Sequence, residues 1–122
     1  MERKRFRLVD VWARVCPQMD VRYSDQLSAR IEVTGSNLCV GLDPRIERHG
    51  DEIGAVEQFL DGVVEGTLDN TACYKPNIAY FEAMGPEGLA MLKRVMRRIP
   101  EEVPIILDAK RSDIGETQRR YA

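Results

Sequence analysis

From residue 24 onward the chain alternates between segments with apolar residues at helical spacing and short, continuous apolar runs. Ser24 is placed to cap a helix through about Val33, with Asp25 near its positive end and Leu27 and Ile31 four apart on its inward face. Asn37–Leu42 is a short apolar run and reads as a first strand, after which Arg45–Gly50 is a polar loop. Ile53, Val56, Phe59, Leu60, Val63, Val64 and Leu68 predict an amphipathic helix over about Asp51–Asp69. A second strand, Thr71–Lys75, leads into Pro76–Asn77 and one or two helical turns over Ile78–Met84, before the Gly85–Pro86 break. Leu89, Leu92, Val95, Met96 and Ile99 line a helix from Pro86 to Arg98, whose last turn is basic. Val103–Leu107 then reads as a third strand, with Pro104 tolerable at its start, and Ile114–Ala122 as the start of another helix.

The order is a helix followed by strand–helix three times, which calls for parallel strands joined by right-handed crossovers. Charged residues stand at the carboxyl end of every strand: Asp43 after the first, Lys75 at the second, Asp108 and Lys110 after the third. Asp108 and Lys110 point the same way, because extended backbone repeats with a period of two. In a (β/α)8 barrel these ends converge on one mouth, whereas independent surface ion pairs would have no reason to keep that register. No glycine-rich phosphate loop follows the first strand, which disfavours nucleotide-cofactor folds.

Composition narrows the field further. Hydrophobic residues make up 43% and charged residues 31%, the balance of a soluble globular domain. A net charge of -2 argues against a general nucleic-acid binder, and no apolar run is long enough to span a membrane. The three cysteines lack metal-ligand spacing; Cys39 and Cys73 fall in strand-like runs and read as buried free thiols of a reducing cytoplasm. The only histidine, His49, has no metal or catalytic partners in sequence and is assigned no role. Residues 1–22 carry six Arg and Lys against three acids and read as an amino-terminal extension, without the apolar core of a signal peptide.

Three segments resemble one family: Leu38-Cys39-Val40-Gly41-Leu42-Asp43-Pro44, Lys75-Pro76-Asn77 with Tyr80-Phe81-Glu82, and Leu107-Asp108-Ala109-Lys110-Arg111 with Asp113-Ile114-Gly115. Together they resemble the bacterial branch of orotidine 5′-phosphate decarboxylase, with Ser112 where that branch usually has glycine. The resemblance implies a TIM barrel, of which residues 23–122 are the amino-terminal part with about three strand–helix units. It implies a cytoplasmic homodimer that needs no metal or organic cofactor. Such an enzyme converts orotidine 5′-monophosphate to uridine 5′-monophosphate and carbon dioxide, in de novo pyrimidine synthesis. By the same resemblance Lys110 stabilises and protonates the C6 carbanion, and Asp108 lies beside the departing carboxylate. Asp43 and Lys75 bind the ribose hydroxyls, while Asp113 and Thr117 reach the neighbouring subunit's site.

A TIM barrel needs ~250 residues and places its phosphate site after strands 7 and 8. The expectation is therefore a chain that carries the charged array but has little or no activity by itself. Two other readings stay open at this point. Magnesium-dependent sugar-phosphate decarboxylases and aldolases of the same superfamily share the DxKxxD spacing, although they place an acidic metal ligand where this chain has Lys75. The chain could also serve as a non-catalytic assembly module.

Overall fold

The computed structural model describes residues 22–110 and 115–121. The proposed extension up to Val21 lies outside them, as do Ser112, Asp113, Ile114 and Ala122. In chain order the elements are α1 (Tyr23–Thr34), β1 (Cys39–Leu42), a 3-10 turn (Ile46–His49), α2 (Ile53–Thr67), a second 3-10 turn (Leu68–Asn70), β2 (Cys73–Pro76), α3 (Ile78–Glu82), α4 (Gly85–Arg98) and α5 (Gly115–Tyr121).

β1 and β2 pair in parallel, Cys39 opposite Cys73 through Leu42 opposite Pro76. The expected third strand runs along the other edge of β2, but as two isolated parallel bridges, Tyr74–Ile105 and Asn77–Asp108, rather than a continuous strand. Both bridges keep one register, and the gap between them falls at Pro76. The amide of Ile106 donates to the Tyr74 carbonyl (2.8 Å) and that of Asp108 to the Pro76 carbonyl (3.0 Å). Pro76 has no N–H to return a bond to this neighbour, so the ladder breaks there.

The core lies between the sheet and the helices. Val56, Leu60 and Val64 of α2 meet Leu42, Tyr74, Phe81 and the Met91, Leu92 and Val95 face of α4. Tyr74 is fully buried, and its hydroxyl bonds the Val64 carbonyl (3.1 Å) and the Thr67 hydroxyl (2.9 Å), which offsets the cost of burying a phenol. α4 approaches α3 closely at Gly88, where an added Cβ would stand 2.2 Å from the Phe81 carbonyl oxygen. α1 is tied on through Arg30, which donates to the carbonyls of Leu68 (2.5 Å) and Thr71 (3.0 Å).

Several expectations need correction. α1 begins at Tyr23 with Arg22 in the capping position and no side-chain cap, so Ser24 lies within the first turn instead of before it. The loop after β1 contains a 3-10 turn, held because Ile46 packs against the core. Phe59 and Leu89 fall at the margins of their helical stripes and stay exposed, and Met91, outside the expected stripe of α4, is buried. Cys73 is buried, but Cys39 is exposed, because β1 is an edge strand. Both are free thiols.

Candidate active site

Parallel pairing delivers Asp43, Lys75 and Asp108 at the same end of the sheet, with Lys110 two residues beyond. Asp108 is the centre of the group. Its side chain is only 12% exposed, and one carboxylate oxygen is ion-paired with Lys110 Nζ while the other faces Lys75 Nζ at 3.7 Å. The hydrogen bond from Lys110, reinforced by the charges of Lys110 and Lys75, holds the Asp108 carboxyl below its ordinary value. The side chains of Lys110 and Lys75 are 55% and 41% exposed, against 12% for Asp108. An alternation of cation, anion and cation is thus fixed at the strand ends, with the anion the most buried member.

The backbone of Asp108 is anchored as well. Its N–H donates to Pro76 and its carbonyl accepts from the amide of Ile78, the first residue of α3. Asp43 joins the array by a different route. Asn77 Nδ2 donates to Asp43 Oδ2 at 3.0 Å, while Asn77 Oδ1 accepts from the amide of Ala79 at 3.2 Å. Asn77 therefore caps α3 and holds Asp43 with the two ends of one amide. The cap satisfies an amide that a helix start leaves without a partner. Sequence reasoning gave Asn77 no role; an asparagine directly before a helical run was the available signal.

Thr117 lies on α5, half-buried, one turn before Arg120. Asp113 lies outside the described residues. α5 sits against α3 through Arg120, whose guanidinium lies 5.1 Å from the centroid of the Tyr80 ring. His49, assigned no role, makes a tilted ring contact with Phe59 (4.8 Å between centroids), and both line a shallow cleft with Asp43, Pro44, Arg45 and Arg48. Among the described residues no group of three or more His, Cys, Asp and Glu side chains is placed to hold a metal ion. No helix among them is long and apolar enough to cross a membrane.

Such an array can bind a polyol through its carboxylates and lysines. It can also place an ammonium against a carbon that develops negative charge. Comparison with known proteins assigns the scaffold. The model of the orotidine 5′-phosphate decarboxylase / HUMPS family matches residues 36–122. The orotidine 5′-phosphate decarboxylase of Herpetosiphon aurantiacus is 42% identical over 91 residues, covering 71% of this chain and 34% of that protein. The corresponding protein of Verminephrobacter eiseniae is 44% identical over 108 residues, covering 84% and 39%. The solved structure of Leishmania donovani OMP decarboxylase superposes with a TM-score of 0.64 at 42% identity, over 78% of this chain and 36% of that one. The chain spans about a third of the length of the curated relatives it matches, and what it spans is the first part of their barrel. With its strand-end motifs in order on this scaffold, the chain belongs to the orotidine 5′-phosphate decarboxylase / HUMPS family.

Proposed function

We propose that this segment supplies the charged half of an active site that decarboxylates orotidine 5′-monophosphate to uridine 5′-monophosphate. The observation that carries the reading is Asp108 held between Lys110 and Lys75 at the strand ends. In the reaction the bond from C6 to the carboxyl carbon breaks and its electron pair stays on C6. The Lys110 ammonium stabilises that pair and then gives C6 a proton, and the amine regains one from solvent. Asp108 faces the substrate carboxylate and keeps Lys110 charged and aimed. Asp43 and Lys75 bind the ribose hydroxyls, Asp43 in the orientation set by Asn77. Asp113 and Thr117 act across a homodimer in the cytoplasm. None of these steps calls on a metal or organic cofactor, and an ammonium at Lys75 opposes a divalent cation at the second strand end.

Turnover also needs a grip on the substrate phosphate, which barrels of this kind build from loops after strands 7 and 8. The 122-residue chain alone is therefore expected to be inactive. The test is uridine 5′-monophosphate formation by the purified chain, with and without the complementary segment of a relative, and with Lys110→Ala. The expected result is turnover only in the complemented protein, lost on Lys110→Ala. Lys110-dependent turnover by the chain alone would overturn the requirement for the rest of the barrel. A complemented protein that binds the nucleotide and never releases carbon dioxide would overturn the decarboxylase reading.

A further inference from the structure

Away from the strand-end array, four charged side chains close a ring between the turn after β1 and α5. Arg45 Nη2 meets Glu116 Oε2 at 2.8 Å. Arg120 grips Glu47 with both terminal nitrogens, one of them at 3.1 Å, and its Nη2 also donates to Glu116 Oε1 at 2.9 Å. The turn reads cation then anion (Arg45, Glu47), and the helix reads anion then cation (Glu116, Arg120), so each charge of one element faces its opposite on the other.

Exposed ion pairs generally contribute little, because two flexible side chains must be held in place against solvent screening. This ring differs in three respects. Arg120 is only 18% exposed, its guanidinium lies on the Tyr80 ring, and its grip on Glu47 is two-pronged, a geometry a lysine cannot reproduce. Its Nε is buried without a hydrogen-bond partner, a cost that only a well-seated guanidinium sustains.

The ring's position gives it a consequence for the site. Arg45 is two residues from Asp43, and Glu116 is adjacent to Thr117. The turn that presents Asp43 and the helix that presents Thr117 are thereby fixed at one separation. We propose that Arg120, with Glu47, Arg45 and Glu116, is a positioning device that seats α5 on the turn after β1 and so sets how Thr117 reaches the neighbouring subunit's site. It thereby tunes substrate binding while leaving the chemical step to Lys110 and Asp108. The significance of Asp43 and Thr117 as substrate contacts rests on the decarboxylase reading above.

The experiment uses the protein purified from its own cells, with Arg120→Ala, Arg120→Lys and Glu47→Ala introduced singly. Glu47 is exposed, so its removal leaves the core untouched. Hydrogen exchange over residues 115–121 reads the docking of α5. Uridine 5′-monophosphate affinity and the steady-state constants read the site. Arg120→Ala and Glu47→Ala are expected to speed exchange about tenfold, weaken the nucleotide about tenfold and raise KM far more than they lower kcat. Arg120→Lys is expected to recover part of each effect. Unchanged affinity and KM in both alanine variants would overturn the proposal, as would an equal fall in kcat with exchange unaltered. If an unsubstituted protein whose mass matches a complete barrel neither binds the nucleotide nor turns over, the decarboxylase reading fails on its own. Exchange over 115–121 still decides the ring, and protection unchanged by Arg120→Ala overturns it.

Discussion

Asn77 and Asp43, 34 residues apart in sequence, share a hydrogen bond of 3.0 Å between Nδ2 and Oδ2 at the end of the sheet. The same asparagine caps α3, so the orientation of a charged strand-end residue is coupled to the start of a helix. Asn77→Ala is expected to destabilise the chain by about 1 kcal/mol, the usual cost of a lost cap. Asn77→Asp keeps the cap oxygen but sets a second carboxylate against Asp43, so it should retain more stability while impairing nucleotide binding at least as much. Denaturant titration and uridine 5′-monophosphate binding on both variants separate the two effects.

Acid should release α5. The grip of Arg120 lowers the Glu47 carboxyl from its ordinary 4.5 to about 2. A carboxyl lowered in the folded state contributes stability that is complete above its unfolded value and is lost as the pH falls through the folded one. Protection of residues 115–121 should therefore hold at pH 5, decline between about 4.5 and 2, and be gone below that range. Arg120→Ala should abolish this pH dependence, and hydrogen exchange at three pH values checks both.

Two glycines make a paired test of packing. Gly88→Ala forces a methyl into the Phe81 carbonyl and the Met84 side chain, and should cost about 1–3 kcal/mol or more. Gly62 lies within α2 with open space around it, so Gly62→Ala should stabilise by about 0.5–1 kcal/mol. Opposite shifts in melting temperature are the expected outcome.

The two strand cysteines should differ sharply in reactivity. Cys73 is buried, and burial together with the neighbouring Cys39 pushes its thiol up to about 11. Cys39 is exposed, so it should alkylate faster than the buried Cys73, whose thiol is held protonated at pH 8. Peptide mapping after a short iodoacetamide pulse reads both sites, and equal labelling would mean that β2 is not packed against its neighbours as described.

Among the described residues nothing pairs with the outer edge of β1 or of the third segment, and Val33, Leu38, Ile106 and Leu107 are exposed. Such edges recruit strands. The purified 122-residue chain is expected to self-associate with rising concentration in analytical ultracentrifugation. The intact mass of the protein from its own cells complements this test: about twice that of the 122-residue chain is expected if a complete barrel covers those edges.

Much of this arrangement was legible in the sequence, because it depends on periodicity. The stripe on α2, the parallel alternation and the convergence of Asp43, Lys75 and Asp108 follow from spacing that a single chain displays. The rest depends on who neighbours whom. Nothing local marks Pro76 as a break in pairing, since only the register reveals that its missing donor faces the third segment. Asn77 had no role assigned from sequence, because its hydrogen bond to Asp43 reaches a residue 34 positions away, just beyond β1. Glu47 and Arg120 are 73 residues apart, and no local pattern couples a polar loop to a distant helix. Cys39 looked like a core thiol because an apolar run does not say whether its strand will have one neighbour or two.

The gap at Pro76 also determines how the site bears load. Without a donor there, a displacement of Lys110 transmitted through Asp108 cannot be shared along a continuous ladder. It passes on one side to the Pro76 carbonyl at the end of β2, and on the other to the Ile78 amide and so into α3, which Asn77 caps and Gly88 seats against α4. The lysine–aspartate pair is thus braced jointly by the last residue of β2 and by a five-residue helix, so softening α3 should loosen the site even when both strands stay intact.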